Sequence, residues 1–221
     1  MRTRRGSGER VRRLDRERIL VTALALIDAE GLAQLSMRRL AAELGVEAMS
    51  LYNHVPNKAA LLEGVAELIL SEIELPGPEV TDWRERLRGG ARSLRRAALA
   101  HPDAVMLLLA QPLQSPQALH PIELALQTLR SAGFDDQATV YAFHTLIGFV
   151  FGQVLQELHG PFAHPDGDAP PSLTKALEPE QFPAVCALGE LAAGRDLEAE
   201  FEFGLTAVLD GLAAALPAVD G

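Results

Sequence analysis

The segment 35–62 contains a glycine between two short stretches of helical periodicity, and this pattern restricts the possible folds strongly. Ser36 stands three residues before Arg39, the spacing at which a serine side chain caps a helix. The apolar residues that follow recur at helical spacing: Met37, Leu40, Ala41 and Leu44. Gly45 then favours a left-handed turn, because only glycine adopts that conformation cheaply. We therefore predict a short helix that ends in a tight turn at Gly45.

A second short helix is predicted from Ala48 to Asn53, with Leu51 on its buried side. Pro56 ends this helix, and the next one begins at Lys58. A short helix presented by such a turn fits the major groove of DNA. The segment therefore predicts a helix-turn-helix that binds double-stranded DNA.

The rest of the chain also favours helices, since aromatic residues make up 5% of it and Ala and Leu are abundant. We predict further helices over 15–30, 58–73, 83–100, 103–109, 116–132, 135–158, 183–193 and 196–216. The expected fold is all-α with about nine or ten helices. A basic disordered arm is predicted over residues 1–14, the DNA-binding domain over 15–62 and a larger helical domain over 63–221. The Pro-, Gly- and Asp-rich stretch 160–172 predicts a mobile loop.

Positive charge is concentrated at the N-terminal end, although the formal net charge of the chain is −10. Residues 1–62 contain 11 Lys and Arg against 7 Asp and Glu, whereas residues 63–221 contain 9 against 23. DNA responds to the local excess, because salt screens charges beyond roughly 8–10 Å. The arginines of the arm are Arg2, Arg4, Arg5, Arg10, Arg12 and Arg13. Two interpretations of them stay open: a solvated disordered tail, or an arm that contacts the minor groove or phosphates.

No segment has the pattern of a membrane span or a secretory signal. The longest uninterrupted apolar runs, such as 104–110, are too short to cross a bilayer. The N-terminal arginines are not followed by an apolar core until Ile19. A lone Cys186 cannot form an intramolecular disulfide. We expect a cytoplasmic protein that does not associate with membranes.

The sequence lacks the motifs of common enzyme classes. Its six histidines are scattered, with no HExxH pair, no Gly-rich phosphate loop and no GxSxG elbow. We therefore predict that the chain is not an enzyme and has no cofactor and no metal site. A helical metalloenzyme remains as a distant alternative.

Residues 14–70 resemble the DNA-binding domain of the tetracycline-repressor (TetR) family. The most specific part of the resemblance is the run Leu51-Tyr52-x-His54-Val55-x-Asn57-Lys58, which a generic helix-turn-helix does not contain. Other matching residues are Ala23, Leu24, Gly31, Leu35, Arg38, Leu40, Ala41, Leu44, Gly45, Val46, Leu61 and Leu62. The larger domain is similar to the regulatory domain of the tetracycline-repressor class itself in the segments 82–83, 97–101, 129–134, 140–155, 203–205 and 211–212.

This resemblance implies a ligand-responsive regulator, usually a repressor, that binds a palindromic operator as a homodimer and is released by a small-molecule effector. It makes residues 63–221 the ligand-binding and dimerisation domain. A ligand-independent architectural DNA-binding protein stays open as an alternative.

The resemblance also assigns DNA contacts. Arg38 matches a base-reading position, where its guanidinium suits the acceptors of guanine; a phosphate contact is the alternative. Ala48, Met49 and Ser50 form the front of the recognition helix, where the class often has longer hydrogen-bonding groups. This departure weakens any transfer of the tetracycline operator sequence. Contacts to the DNA backbone are expected from Tyr52, Asn53, His54 and Lys58.

The larger domain is expected to hold the effector pocket between the helices over 83–100, 116–132 and 135–158. His101 matches a histidine that contacts the drug, although it equally suits the end of a helix. Gly148 stands where the class has its magnesium-binding histidine, so a magnesium–tetracycline complex is not expected. We predict an apolar effector contacted by His101, Met106, Leu109, Leu124, Thr128, Phe143, His144 and Phe149.

Two apolar stripes predict helix packing near the C-terminus. One lies on the helix over 135–158 and comprises Val140, Phe143, Ile147, Phe151, Val154 and Leu158. The other lies on the helix over 196–216 and comprises Phe201, Leu205, Val208, Leu209, Leu212 and Leu216, with Gly204 and Gly211 permitting close approach. The resemblance implies that these two helices form a four-helix dimer interface. The alternative is that both stripes are buried within one subunit.

Overall fold

A computed structural model describes residues 14–112, 115–159 and 178–216. Within these ranges the chain forms ten α-helices and two short 3₁₀ turns, and no strand. The predicted all-α fold is confirmed. Residues 1–13 of the predicted arm and the predicted loop over 160–172 lie outside the described residues.

The first three helices form a compact unit, here called the head, which comprises residues 14–57. They are α1 (Arg16–Glu30), α2 (Met37–Leu44) and α3 (Ala48–Tyr52). α2 begins where predicted, because the Ser36 hydroxyl accepts a hydrogen bond from the Arg39 N–H at 3.1 Å. It ends at Gly45, whose φ of 68° and ψ of 32° are left-handed as predicted. The α3 helix ends one residue earlier than expected, with Asn53 as its C-cap.

The helix α4 (Lys58–Leu70) connects the head to the rest of the chain. The Asn57 carboxamide oxygen caps it by accepting from the Ala60 N–H at 2.8 Å. Apolar residues of all four helices meet in one core, and their side chains are fully buried: Ile19, Leu40, Leu51, Leu61 and Val65. The short α3 is therefore held in place by packing, since so short a helix is not stable alone.

The remaining helices form the body. They are α5 (Trp83–Ala100), α6 (Val105–Ala110), α7 (Pro116–Ser131), α8 (Asp136–His159), α9 (Pro183–Ala193) and α10 (Leu197–Ala214). Each begins and ends within a few residues of its predicted bounds. The helix α4 ends earlier than predicted, at Leu70 rather than residue 73.

The helix α8 lies at the centre of the body, in contact with α5, α7 and α10. Its 24 residues and a mean hydropathy of 1.5 are sufficient, by length and composition alone, to cross a membrane. The core helix of a soluble bundle can have the same length and hydropathy, and α8 packs against three other helices as such a core helix does. Only 39% of its most apolar window is buried, however. Within the part of the chain that the structure describes, one side of α8 therefore has no neighbour.

The packing of α10 on α8 corrects the predicted dimer stripes. Phe201, Leu205 and Leu209 are fully buried inside the subunit, as are Val150 and Val154 of α8. Half of the predicted stripe of α10 is therefore buried within its own subunit, as the alternative interpretation expected, while Val208, Leu212 and Leu216 are half-buried.

The two predicted glycines of α10 have different surroundings. A Cβ added at Gly204 would lie 2.5 Å from Cε2 of Phe149, whereas one at Gly211 would meet no atom within 4 Å. The close approach at Gly204 is thus intramolecular, because it makes room for a ring of α8.

Candidate nucleic-acid interface and body cavity

The helix α3 presents an exposed side on the surface of the head. Met49 is 72% exposed and Tyr52 is 42% exposed, while Leu51 between them is fully buried. Ala48 and Ser50 are half-buried, and Asn53 and His54 are exposed. Because the Leu51 side chain packs into the core of the head, the opposite side of α3 faces solvent. The residues predicted to contact DNA at this helix thus occur together on one surface.

Two adjacent arginines of α2 have different surroundings. Arg39 Nε donates to Glu30 at 3.1 Å, and its Nη1 donates to Glu43 at 2.9 Å. The hydrogen bonds with Glu30 and then Glu43 raise the pKa of Arg39, and the same contact with Arg39 lowers the pKa of Glu30. Arg38 instead is exposed and, with Ala48, borders a shallow depression between α2 and α3. Arg38 is therefore the arginine placed to reach a molecule lying against α3.

Lys58 has a structural contact that the sequence did not reveal. Its Nζ donates a hydrogen bond to the carbonyl oxygen of Leu35 at 2.6 Å and so ties the start of α4 to the segment before α2. An ammonium group has three hydrogens to donate. The contact with Leu35 therefore leaves the predicted phosphate contact chemically possible.

The body contains a cavity of about 280 Å³ bounded by the end of α4 and by α5 to α8. Its walls consist of Leu70, Ile73, Leu75, Leu87, Gly90, Ala91, Leu94, Leu108, Leu109, Pro121, Ile122, Ala125, Phe143, His144, Leu146, Ile147, Val150 and Phe151. Among these described residues, His144 alone has a polar side chain. It is exposed, so it stands at the mouth of the cavity. The arrangement suits an apolar molecule with one hydrogen-bonding group.

Three of the eight residues predicted to contact an effector line this cavity: Leu109, Phe143 and His144. Four others lie elsewhere for local reasons. Met106 is 53% exposed, and the Phe149 ring packs on Phe201 with ring centroids 5.6 Å apart. The Thr128 hydroxyl donates to the carbonyl oxygen of Leu124 at 2.7 Å within α7, and neither residue lines the cavity. Met106, Leu124, Thr128 and Phe149 therefore lie outside the cavity wall, and their contact with an effector stays a prediction.

His101 is the last of the eight residues predicted to contact an effector, a contact that stays a prediction. It caps the C-terminus of α5 and does not line the cavity. Its Nδ1 lies 2.9 Å from Oδ2 of Asp28 on α1, and its Nε2 lies 3.8 Å from Oε2 of Glu72. The histidine therefore links the body to the head.

Most of the residues that line the cavity were not predicted from the sequence. The wall contributed by α5 comprises Leu87, Gly90, Ala91 and Leu94. The sequence pattern could have indicated them, since these small and apolar residues form a stripe along a helix that is otherwise rich in arginine. The Leu75 side chain lies over Gly90, where an added Cβ would be 2.9 Å from its Cγ. Leu75 belongs to the segment between α4 and α5, so the helical periodicity of α5 could not reveal this contact.

On one side, α8 and α10 are not covered by the described residues, and that side carries two exposed aromatic side chains and three glycines. On α8 it carries Tyr141, which is 63% exposed, with Gly148 and Gly152. On α10 it carries Phe203, which is 79% exposed, and Gly211. A Cβ added at any of the three glycines would meet no atom within 4 Å. A second pair of helices has room to approach here closely.

Comparison with known proteins matches both parts of the chain. Residues 19–65 match the family described as bacterial regulatory proteins, tetR family, and residues 75–216 match the tetracyclin repressor-like C-terminal domain. The chain is 37% identical over 202 residues to the tetracycline repressor protein class A from transposon 1721 of Escherichia coli, covering 88% of each protein.

Two solved structures are similar over nearly the whole chain. The TetR family protein ActR of Streptomyces coelicolor, solved in complex with actinorhodin, has a TM-score of 0.79 and 37% identity, covering 91% of this chain and 98% of ActR. BioQ, solved with its natural double-stranded DNA operator, has a TM-score of 0.64 and 29% identity, covering 91% of this chain and 99% of BioQ.

Proposed function

The chain belongs to the TetR family of bacterial transcription regulators, and from this premise we propose that it is a repressor released from a palindromic operator by a small-molecule effector. Members of this family are regulators, so the prediction that the chain is not an enzyme is confirmed. The observation that carries the proposal is the exposed side of α3 next to Arg38, in a chain that also contains an apolar cavity. We place the protein in the cytoplasm, with the DNA.

Base reading is proposed for the front of α3 and for Arg38. The guanidinium of Arg38 donates to O6 and N7 of guanine. The exposed Met49 and the half-buried Ala48 contact thymine methyl groups. Ser50 forms a hydrogen bond that tolerates several bases. Contacts to the DNA backbone set the position of the head without reading sequence, and we assign them to Tyr52, Asn53, His54 and Lys58.

Two heads bind the two halves of the operator in a homodimer. Recognition helices spaced about 34–36 Å apart enter successive turns of the major groove. We propose that the uncovered sides of α8 and α10 form the dimer interface, with Phe203 packing against the glycines of the partner's helices. A symmetric interface of this kind pairs the same surface on both subunits.

The effector acts through α4, which carries the head. Leu70 and Ile73, at the end of α4, form part of the cavity wall. Oε1 of the buried Glu67 accepts a hydrogen bond from the Ser115 N–H at 2.8 Å and so ties α4 to the start of α7. An effector that shifts α7 therefore shifts α4 and changes the spacing of the heads. Coupling between two sites is typically about 1–3 kcal/mol.

The effector is an apolar molecule that binds without a metal ion. His144 is the one residue among the described lining residues with a side chain able to coordinate a metal, and a single ligand does not make a metal site. ActR, which shares 37% identity with this chain, has been solved with actinorhodin. We propose that this cavity likewise takes an organic molecule of largely apolar surface.

Replacing Arg38 with alanine is expected to remove discrimination at one base pair of each half-site. A good bidentate contact to guanine accounts for about 1–3 kcal/mol, so discrimination falls about fivefold to 150-fold. The measurement compares affinities for an operator selected from random duplexes and for its single-base variants. Arg39→Ala is the matched control, because Arg39 is engaged by Glu30 and Glu43. Unchanged discrimination in Arg38→Ala would contradict the base-reading role.

Magnesium is expected to have no influence on ligand binding in the cavity. Titration with tetracycline in the presence of magnesium and of EDTA should give the same weak or absent heat, since His144 is the one metal-coordinating side chain among the described lining residues. The class A tetracycline repressor serves as the positive control. Binding that is tight with magnesium and lost with EDTA would show that the cavity holds a metal complex after all.

A further inference from the structure

His101 forms a contact between the body and the head that the proposed mechanism does not use. Its imidazole is largely buried, with the side chain 16% exposed. Nδ1 lies 2.9 Å from Oδ2 of Asp28, which belongs to the last turn of α1. An ionised carboxylate only accepts hydrogen bonds, so Nδ1 is the donor in this contact. Hydrogen bonds to a charged group are stronger than those between neutral groups.

The position of His101 joins the cavity to the head. It caps the C-terminus of α5, and four residues of α5 line the cavity. Asp28 lies on α1, which packs against α2 within the head and against the connecting helix α4. A displacement of α5 is therefore passed to α1 directly, without passing along α4.

A second point of attachment changes what the head can do. The chain itself connects head and body through α4, and α1 also packs against the short turn Pro102–Ala104 that follows His101. His101 adds a contact at the end of α1, and Glu72 lies beside it just after α4, with its Oε2 3.8 Å from Nε2 of the imidazole. The hydrogen bond between His101 and Asp28 adds a directional contact to this packing and so restricts the orientation of the head.

We propose that His101 is a positioning residue that fixes the orientation of the head on the body through its hydrogen bond to Asp28. Its consequence for DNA affinity depends on the proposed function, whereas its effect on head orientation does not. His101 therefore acts at the junction between head and body rather than on the effector.

The test measures the distance between spin labels on the head and on the body of one subunit. Labels are attached at Val21→Cys on α1 and Glu123→Cys on α7, both exposed positions, in a Cys186→Ser background, and labelled protein is diluted with unlabelled protein. We expect His101→Leu and Asp28→Leu to broaden the distance distribution, because each removes one partner of the hydrogen bond. His101→Asn should preserve a narrow distribution, because its amide nitrogen replaces Nδ1 as the donor. His120→Leu, an exposed histidine of α7, is the control and should match the wild type.

A distribution in His101→Leu that is as narrow as in the wild type overturns the proposal, and so does equal broadening in His101→Asn and His101→Leu. Circular dichroism checks that each variant is folded, and Asp28→Leu tests the contact from its other side. Affinity for the selected operator is measured in parallel and should fall about twofold to thirtyfold in His101→Leu. If the wild type binds no duplex while the distances change as expected, the proposed function fails and the positioning role stands.

Discussion

Replacing Phe203 with aspartate is expected to dissociate the proposed dimer and to abolish operator binding at concentrations where the wild type binds. Phe203 is 79% exposed on α10, yet the neighbouring Phe201 of the same helix is fully buried. A large aromatic side chain at the centre of an interface commonly contributes about 2 kcal/mol or more. The substitution also places a charge where an apolar contact is proposed, which adds a desolvation cost. We expect the dimer dissociation constant to rise by about thirtyfold or more.

Sedimentation velocity over a range of concentrations measures the dimer, and a duplex with two half-sites measures binding. The matched control is Leu119→Asp, because Leu119 is also an exposed apolar residue, 42% exposed, on α7 outside the proposed interface. The control should remain a dimer with wild-type affinity. If Phe203→Asp sediments as the wild type does, the uncovered sides of α8 and α10 are not the interface.

Replacing Leu51 with alanine is expected to destabilise the head by about 2–5 kcal/mol, the usual range for a buried leucine truncated to alanine. Leu51 is fully buried and is the only residue of α3 with a buried side chain. A helix of five residues has too few internal hydrogen bonds to persist without such an anchor. Operator binding should therefore be lost together with the order of α3.

Urea unfolding followed by circular dichroism measures the free energy of unfolding, and amide hydrogen exchange reports the order of α3. Met49→Ala is the matched control, two positions away and 72% exposed. It should change stability by less than about 0.5 kcal/mol, as surface substitutions usually do, while it weakens operator binding through the lost apolar contact. Equal stability of Leu51→Ala and the wild type would show that α3 is not anchored by this side chain.

The helices and their ends could be predicted because their signals are local. Ser36 and Gly45 act on backbone groups only a few residues away, and the structure has both in the predicted roles. The exposed side of α3 followed from the same short-range pattern. The DNA-binding residues stay a prediction in their chemical roles, although the structure brings them to one surface of the head.

The cavity was predicted less well because it is formed by side chains from five helices. Phe143 and His144 were placed there correctly, whereas Phe149 turned out to fill the space beside Gly204 on α10. The helical period of α8 alone does not decide which neighbour each of its faces meets. A helix that is apolar on most sides offers several equivalent assignments.

By itself, the sequence determined the helices, their caps and the helix-turn-helix, since these depend on residues within one or two turns of each other. The tertiary structure alone decided which side of α10 is buried: Phe201 and Phe203 are two residues apart, and only packing on α8 distinguishes them. It also decided the role of His101, whose partner Asp28 is 73 residues away. Contacts across such a separation depend on how whole helices pack, and that arrangement is settled only when the entire core has formed.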